Sequence, residues 1–150
     1  MEFLLYLTPV GNQIINTIAQ SKFKIYENSQ LCKVEPNTMG YVDHDRDQFV
    51  VCTKNIINGG WSPKHYINET VYHEAVHVAQ DCKSKGLFSF LGPVSLGIPN
   101  KYMPLTANKK EALDSSTSFG GFKIREREHE SYYLEDKPHK VLHYVQKYCL

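Results

Sequence analysis

The sequence lacks several features that would assign it to a class at once. It has no run of about 18 apolar residues, the length needed to span a bilayer, and it has no internal repeat or low-complexity tract. Its 17 Lys and Arg residues nearly balance its 16 Asp and Glu residues, and the net charge is +1. The composition therefore favours neither nucleic acid nor a membrane as a partner, and a peptide or protein partner fits it better.

The cysteines form no recognisable framework. There are four, widely spaced and without a Cys-x-x-Cys pair: Cys32, Cys52, Cys82 and Cys149. A chain of 150 residues is long enough to build a stable core without disulfides. We therefore predict reduced, buried cysteines, with a Cys82–Cys149 bridge as the alternative if the chain is exported.

The apolar start of the chain, Met1–Val10, does not have the form of a signal peptide. It lacks a positively charged segment, it contains Pro9, and no small-residue cleavage site follows it. The sequence thus predicts a cytoplasmic location.

What the sequence does contain is the composition of a folded protein. Hydrophobic residues make up 41% of the chain and charged residues 22%, which is far from the composition of disordered chains. The length predicts a single domain that spans residues 1–150.

Patterns in the first 60 residues predict a helix followed by a small sheet. Thr8 and Pro9 suit the N-cap and N1 positions of a helix that extends to about residue 20. Four short runs, separated by turn residues, then predict strands of a small antiparallel sheet, with the last two joined as a hairpin: Phe23–Tyr26, Leu31–Val34, Met39–Asp43 and Gln48–Thr53. The fold class is therefore α+β.

A long central helix follows the predicted strands. Ser62 and Pro63 can begin a helix that continues to Lys85, where Gly86 would end it. Asn68 is an alternative N-cap, which would leave the preceding residues in a loop.

The remainder of the chain is predicted to contain one irregular stretch and two helices. Residues 86–122 are rich in Gly and Pro, which predicts a long surface excursion with one short helix at Thr106–Leu113. A charged segment from residue 123 to the break at Pro138, and the apolar pattern after it, predict the two closing helices.

The central helix carries a His-Glu-Ala-Val-His motif. His73 and His77 are four residues apart, so both imidazoles project from one face of a helix and can share one zinc ion. Glu74 is suited to accept a proton from water at that metal. An apolar stripe would bury the opposite face of the helix in the core: Val71, Ala75, Val78, Ala79 and Cys82.

The segment Thr70–Gln80 resembles the active-site helix of zincin metallopeptidases, especially small bacterial and phage-type members. The resemblance implies a zincin-like fold, in which a small antiparallel or mixed sheet packs on the motif helix and helices lie at both ends of the chain. The metzincin branch expects Gly and His where this chain has Gln80 and Lys83, so the sequence is more similar to a gluzincin. A phage-type member would be associated with a virion rather than free in the cytoplasm.

In a gluzincin, the third ligand is a Glu downstream of the motif, and a later acidic residue orients a motif histidine. The segment that begins at Glu126 is the best match, with Glu126 as the ligand and Glu130 as the orienting acid. Glu130 is the alternative third ligand, and a solvated charged helix face is the competing interpretation of this segment. Glu111 and Asp114 are weaker candidates.

The resemblance also implies a group that stabilises the oxyanion and a strand that binds the substrate. Tyr133 and His143 are the candidates for the first role, and Tyr132 and His139 are also near enough in sequence. The strand before the motif helix, Gln48–Thr53, would pair with the extended peptide.

Together these features predict a zinc-dependent peptidase in which Glu74 is the general base. A zincin-like module that binds zinc for structure or interaction, for example in a phage particle or another complex, is the alternative. The presence of Glu74 favours the enzyme, because a structural zinc site closes its fourth position with protein. A metal-free interaction domain is a third and weaker hypothesis.

Overall fold

The computed structural model describes residues 1–85, 92–118 and 120–150. They form a mostly helical α+β structure with a small, three-stranded mixed sheet. The elements in chain order are α1 (Pro9–Gln20), β1 (Lys24–Glu27), α2 (Gln30–Val34), β2 (Gly40–Asp43), β3 (Gln48–Val51), α3 (Thr53–Asn58), α4 (Pro63–Lys85), α5 (Ala107–Ser116), α6 (Phe122–Leu134) and α7 (Pro138–Cys149), with 3₁₀ turns at Glu2–Tyr6 and Asn100–Tyr102. None of the described helices is long and apolar enough to cross a membrane.

The sheet has β3 at its centre. Strand β1 pairs with β3 in parallel and β2 pairs with β3 antiparallel, so the predicted hairpin is confirmed but the predicted purely antiparallel sheet is wrong. Both edges of β3 are occupied. The prediction that Gln48–Thr53 pairs with a substrate peptide is therefore wrong as well, because only β2 and β1 have a free edge among the described strands.

Two boundaries near the sheet differ from the sequence prediction. Residues Leu31–Val34 lie in the short helix α2 and not in a strand, because an apolar run of this length fits either structure and the packing decides. Strand β3 ends at Val51, and Thr53 begins helix α3.

The capping residues act as predicted. The side chain of Thr8 accepts a hydrogen bond from Gly11 N (3.0 Å) at the start of α1. Helix α4 begins at Pro63, so the alternative start at Asn68 is wrong. Asn68 is instead buried inside the helix, where its side chain accepts from Thr8 N (3.0 Å) and donates to Tyr6 O (2.9 Å).

Helix α4 lies at the centre of the protein, in contact with α1, α6 and α7 and with the sheet. The predicted apolar stripe is confirmed, because Val71, Ala75, Val78 and Ala79 are all fully buried. They belong to one hydrophobic core that extends from Phe3 to Val145 in sequence. This packing fixes α4 and leaves its other face to carry the motif.

All four cysteines are paired. Cys32 is bonded to Cys52 and Cys82 to Cys149, so the prediction of reduced cysteines is wrong and its alternative, the second bridge, is confirmed. The first bridge joins α2 to the end of β3, and the second joins α4 to the end of α7. Sequence spacing did not indicate the first pair, because it is α2 that brings Cys32 to Cys52.

The predicted excursion is only partly irregular. Gly86 and the rest of residues 86–91 lie outside the described residues, as does Phe119. The remainder contacts α4 and α6, and its residues Leu96 and Met103 are buried. It also includes α5, which confirms the short helix predicted there. The side chain of Thr106 caps this helix, accepting from Lys109 N (3.3 Å).

Candidate metal centre

Helices α4 and α6 bring three metal-ligand side chains together. His77 Nε2 lies 2.7 Å from Glu128 Oε1, and His73 Nε2 lies 3.2 Å from Glu128 Oε2. One ligand atom from each of the three residues falls within 4.8 Å of the others. His73, His77 and Glu128 form the candidate metal centre.

The spacing and chemistry of the donor set fit zinc. Ligands at about 2.0–2.1 Å from a tetrahedral ion lie roughly 3.3 Å from one another, close to the separations seen here. Two imidazoles and one carboxylate are a combination typical of catalytic zinc sites, which keep a fourth position open for water or substrate. The donor set and its spacing are therefore compatible with a zinc ion.

Partners at the Nδ1 atoms set the tautomer of both histidines. His73 Nδ1 lies 2.9 Å from Glu135 Oε2, and because an ionised carboxylate only accepts hydrogen bonds, the imidazole must donate. His77 Nδ1 lies 2.8 Å from Gln80 Oε1 and donates to it in the same way. With the proton of the neutral ring on Nδ1, Nε2 offers its lone pair to the metal.

The orientation of the Gln80 amide is fixed by its other contacts. Its Nε2 donates to Arg127 O (3.0 Å) and to Glu130 Oε1 (2.8 Å), so its oxygen must face His77. Glu130 Oε1 also accepts from Leu96 N (2.8 Å), which ties the segment after residue 92 to the same network. The network connects α4, α6 and this segment at the ligand His77.

Glu74 lies one residue from His73 on α4, beside the cluster. The edge strand β2 packs closely against it, since a Cβ on Gly40 would lie 3.4 Å from Glu74 Cγ. Burial raises the pKa of Glu74, while the charges of His73 and His77 act in the opposite direction. A raised pKa suits a carboxylate that must both accept and release a proton near neutral pH.

The three ligands are electrostatically coupled. Burial alone would lower the pKa of His73 and His77, but the hydrogen bonds that the rings donate to Glu128, and for His73 also to Glu135, outweigh it and raise both pKa values. Burial alone would raise the pKa of Glu128, and the two histidines instead hold it far below its ordinary value. Protons therefore compete with a metal for this site.

The glutamate that the structure places beside the two histidines is not the one predicted from the sequence. Glu128, and not Glu126, reaches the histidines, and Glu126 does not line the cleft. Glu130 is fully buried and accepts a hydrogen bond from Gln80, which in turn contacts His77, so the structure does not place its carboxylate in the cluster. Asp114 pairs with Arg125 (2.7 Å) outside the cleft, and Glu111 does not line the cleft either.

The residues missed from the sequence lie on one face of the end of α6. Glu128, Ser131 and Glu135 are three and then four residues apart, which places them on the side that meets α4. Ser131 Oγ lies 3.3 Å from His77 Nε2. The i, i+3, i+7 spacing of these residues indicates a shared helix face. The segment contains so many acidic residues, however, that other faces of the helix show a similar pattern.

The cluster lies at the bottom of a cleft of about 910 Å³. Met39 and residues Gly40–Val42 of the edge strand β2 line one side of it, and residues of α5 and α6 line another. Tyr132 lines this cleft, with its ring edge-on to that of His73 at 4.7 Å between centroids.

The predicted oxyanion-stabilising residues lie elsewhere. Tyr133, His139 and His143 line a separate cavity of about 470 Å³ between α6 and α7, so the assignment of Tyr133 and His143 is wrong. Successive residues on a helix point in directions about 100° apart. That difference puts Tyr132, and not Tyr133, into the cleft.

Comparison with known proteins assigns a family and no activity. A family model described as "Domain of unknown function (DUF8637)" matches residues 3–150, so the chain belongs to this family. No curated protein and no solved structure gives a significant match to the chain.

Proposed function

We propose that this member of the DUF8637 family is a zinc-dependent peptidase. The observation that carries the proposal is the convergence of His73, His77 and Glu128 at the bottom of an open cleft, with Glu74 beside them. Three protein ligands leave a fourth position for water or substrate, which is the arrangement of a catalytic site rather than a structural one.

The roles of the protein groups follow from their positions. When bound, zinc supplies a Lewis acid that makes water nucleophilic near neutral pH and polarises a peptide carbonyl. Glu74 accepts the proton of that water and delivers it to the leaving amine. Tyr132 is suited to donate a hydrogen bond to the oxyanion that develops in the transition state.

The supporting residues follow the same scheme. Glu135 and Gln80 hold the Nδ1–H groups of the two histidines and keep both rings oriented. A Glu ligand on a helix downstream of the motif helix, as Glu128 is on α6, is the gluzincin arrangement and supports a zincin-like, gluzincin-type assignment. In this assignment Glu128 replaces Glu126 as the ligand and Glu135 replaces Glu130 as the orienting acid.

The substrate strand is reassigned from β3 to β2. Strand β2 has one edge paired with β3, and its residues Gly40–Val42, together with the preceding Met39, line the cleft. An extended peptide that adds to this edge would pass over the metal centre, with its backbone hydrogen bonds supplied by the strand.

The two disulfides bear on where the enzyme works. Disulfides persist in oxidising surroundings and are rare in reducing cytosol. They favour an exported or particle-associated protein over a cytoplasmic one.

Cleavage of a peptide library by the zinc-loaded protein tests the proposal. Removing a general base slows catalysis by about 10²–10⁴-fold, so Glu74→Gln should lose at least about 100-fold in kcat while it still binds zinc. Glu111→Gln, an exposed substitution outside the cleft, is the matched control and should cleave as the wild type does. Equal and negligible cleavage by wild type and Glu74→Gln, with zinc bound in both, would favour the alternative of a zinc-binding interaction module.

A further inference from the structure

The cleft contains a cation without a carboxylate partner. Apart from histidines, its basic lining residues are Lys109 and Arg127. Lys109 Nζ lies 3.6 Å from Glu135 Oε1 and 3.3 Å from Asp136 Oδ2, so its charge is compensated. Within residues 1–85, 92–118 and 120–150 no carboxylate lies within ion-pair distance of Arg127, and the sequence outside these ranges contains no Asp or Glu.

The acidic groups of the cleft are engaged elsewhere. Glu128 and Glu135 contact the motif histidines, and Glu69 Oε2 lies 3.4 Å from His65 Nε2. Glu74 is next to His73 and is reserved for proton transfer in the proposed function. The positive charge of Arg127 is therefore left for a group that is not part of the chain.

Arg127 is held in position from two sides. Its Nη1 donates to Pro93 O (3.2 Å), and its backbone oxygen accepts from Gln80 Nε2 (3.0 Å). Among the described residues this is the guanidinium's one hydrogen bond, and a guanidinium has further N–H groups that can donate to a ligand in the cleft. A guanidinium binds a carboxylate through two parallel hydrogen bonds, which gives both affinity and orientation.

The position of Arg127 relates this charge to the metal centre. It immediately precedes the proposed ligand Glu128 on α6, so the two Cα atoms are about 3.8 Å apart, and both residues line the cleft. Since an extended peptide advances about 3.3 Å per residue, a group bound by Arg127 lies within a few peptide residues of the metal.

We propose that Arg127 binds a carboxylate of the substrate, either an acidic side chain or the C-terminal carboxylate, so that the cleft prefers peptides bearing one close to the scissile bond. The proposal rests on the proposed peptidase function for the identity of the substrate. The carboxylate preference itself can be measured by binding, without turnover.

Four matched pools of short peptides test the proposal. They contain either Glu or Gln at varied positions and end in either a free carboxylate or an amide. Zinc-loaded wild type, Arg127→Gln, Arg127→Lys and Arg125→Gln are compared for kcat/KM, and their affinities for the same pools are measured by calorimetry. Arg125, on the same helix, pairs with Asp114 away from the cleft and is the matched control.

Wild type and Arg125→Gln should favour one kind of carboxylate-bearing pool by about 10- to 100-fold, the range for a charge-assisted pair. Arg127→Gln should reduce that preference to within about twofold, and Arg127→Lys should restore part of it. The Glu pools identify a side-chain carboxylate and the free-acid pools a terminal one. The proposal is contradicted if wild type shows the same kcat/KM and affinity for all pools, or if Arg127→Gln keeps the wild-type preference.

Binding separates this proposal from the function on which it rests. If wild type cleaves no pool but binds carboxylate-bearing peptides through Arg127, the peptidase function fails and the carboxylate site stands. If cleavage occurs without any carboxylate preference, the peptidase function stands and the carboxylate site fails. Absence of both cleavage and preferential binding overturns both.

Discussion

The orientation of His73 depends on a single carboxylate. Glu135 Oε2 accepts the Nδ1–H of His73 at 2.9 Å and is itself nearly buried. Removing such a partner weakens metal binding by about 10- to 100-fold in other zinc sites. We therefore expect Glu135→Gln to raise the zinc Kd by this factor in competition with a chromogenic chelator.

The neighbouring residue Asp136 provides the control for this prediction. It is exposed and pairs with Lys137 (2.7 Å), without contact to either motif histidine. Asp136→Asn should bind zinc as the wild type does. Equal zinc affinities for Glu135→Gln and Asp136→Asn would show that Glu135 does not orient the ligand.

Far from the cleft, Glu27 should make stability depend on pH. Burial alone would raise its pKa, but hydrogen bonds from Phe3 N, Thr53 Oγ1 and Glu2 N outweigh it and lower the pKa. A lowered folded-state pKa stabilises the fold fully above the unfolded pKa, about 4.3, and this contribution is lost as pH falls through the folded value.

The measurement compares urea unfolding of wild type and Glu27→Gln. At pH 7 the variant should be less stable by on the order of 1 kcal/mol, the usual net contribution of a hydrogen bond. The difference should shrink as the pH is lowered from about 5 to about 3, a range that spans the unfolded pKa. A difference that stays constant over this range, or that equals the effect of the exposed substitution Glu2→Gln, would contradict the role of the charge.

At the residue scale, local sequence spacing indicated the part of the candidate site on the motif helix but not the glutamate that comes from α6. His73, Glu74 and His77 lie on one helix, so their spacing alone placed them together. The third group comes from another helix, and its identity depends on the rotation of α6 against α4. That rotation decides which of Glu126, Glu128 and Glu130 faces the two histidines, and it is set by tertiary packing.

The contact between β2 and α4 requires a glycine. A Cβ at Gly40 would lie 2.7 Å from Thr70 Cγ2 and 2.9 Å from the backbone oxygen of Val50, closer than atoms approach without displacement. Overpacking of this kind costs about 1–3 kcal/mol. We expect Gly40→Ser to lower the free energy of unfolding by this amount in urea and to displace the strand that forms the cleft wall.

Gly121 is the matched position for the same substitution. A Cβ there would meet nothing within 4 Å, and the residue occupies the N-cap of α6, where Ser is favoured. Gly121→Ser should leave stability unchanged or raise it slightly. If Gly40→Ser is as stable as Gly121→Ser, β2 does not pack on α4 as closely as described.

At the element scale, capping and apolar periodicity were sufficient for the long helices. Thr8 and Pro9 predicted the start of α1, and Pro63 predicted the start of α4. The short helix α2 was mistaken for a strand because five residues carry too little periodicity to decide. The parallel pairing of β1 with β3 could not be predicted, because it depends on how α2 and β2 return the chain to the sheet.

Over the whole molecule, the two disulfides should contribute unequally to stability. Cys82–Cys149 closes a sequence separation of 67 residues and Cys32–Cys52 one of 20. In the chain-entropy model these loops correspond to about 4 and about 3 kcal/mol respectively. Two double variants, Cys82→Ala with Cys149→Ala and Cys32→Ala with Cys52→Ala, each remove one disulfide. In urea unfolding, the first should lose more free energy of unfolding than the second.

The pairing itself can be checked without substitution. Alkylation of the denatured, unreduced protein, followed by mass measurement, should detect no free thiol, because both pairs are bonded. Modification of all four cysteines would support reduced cysteines instead.

Equal losses in the free energy of unfolding for the two double variants would contradict the ranking of the disulfides by loop length.

Zinc content tests the central claim most directly. Wild type, Glu128→Gln and Glu126→Gln, purified without chelator and dialysed, are compared by elemental analysis. Wild type and Glu126→Gln should each hold about one zinc per chain, and Glu128→Gln should hold less than about a tenth, because it loses a charged ligand. A wild type without zinc, or the loss of zinc from Glu126→Gln while Glu128→Gln retains it, would contradict the site formed by His73, His77 and Glu128.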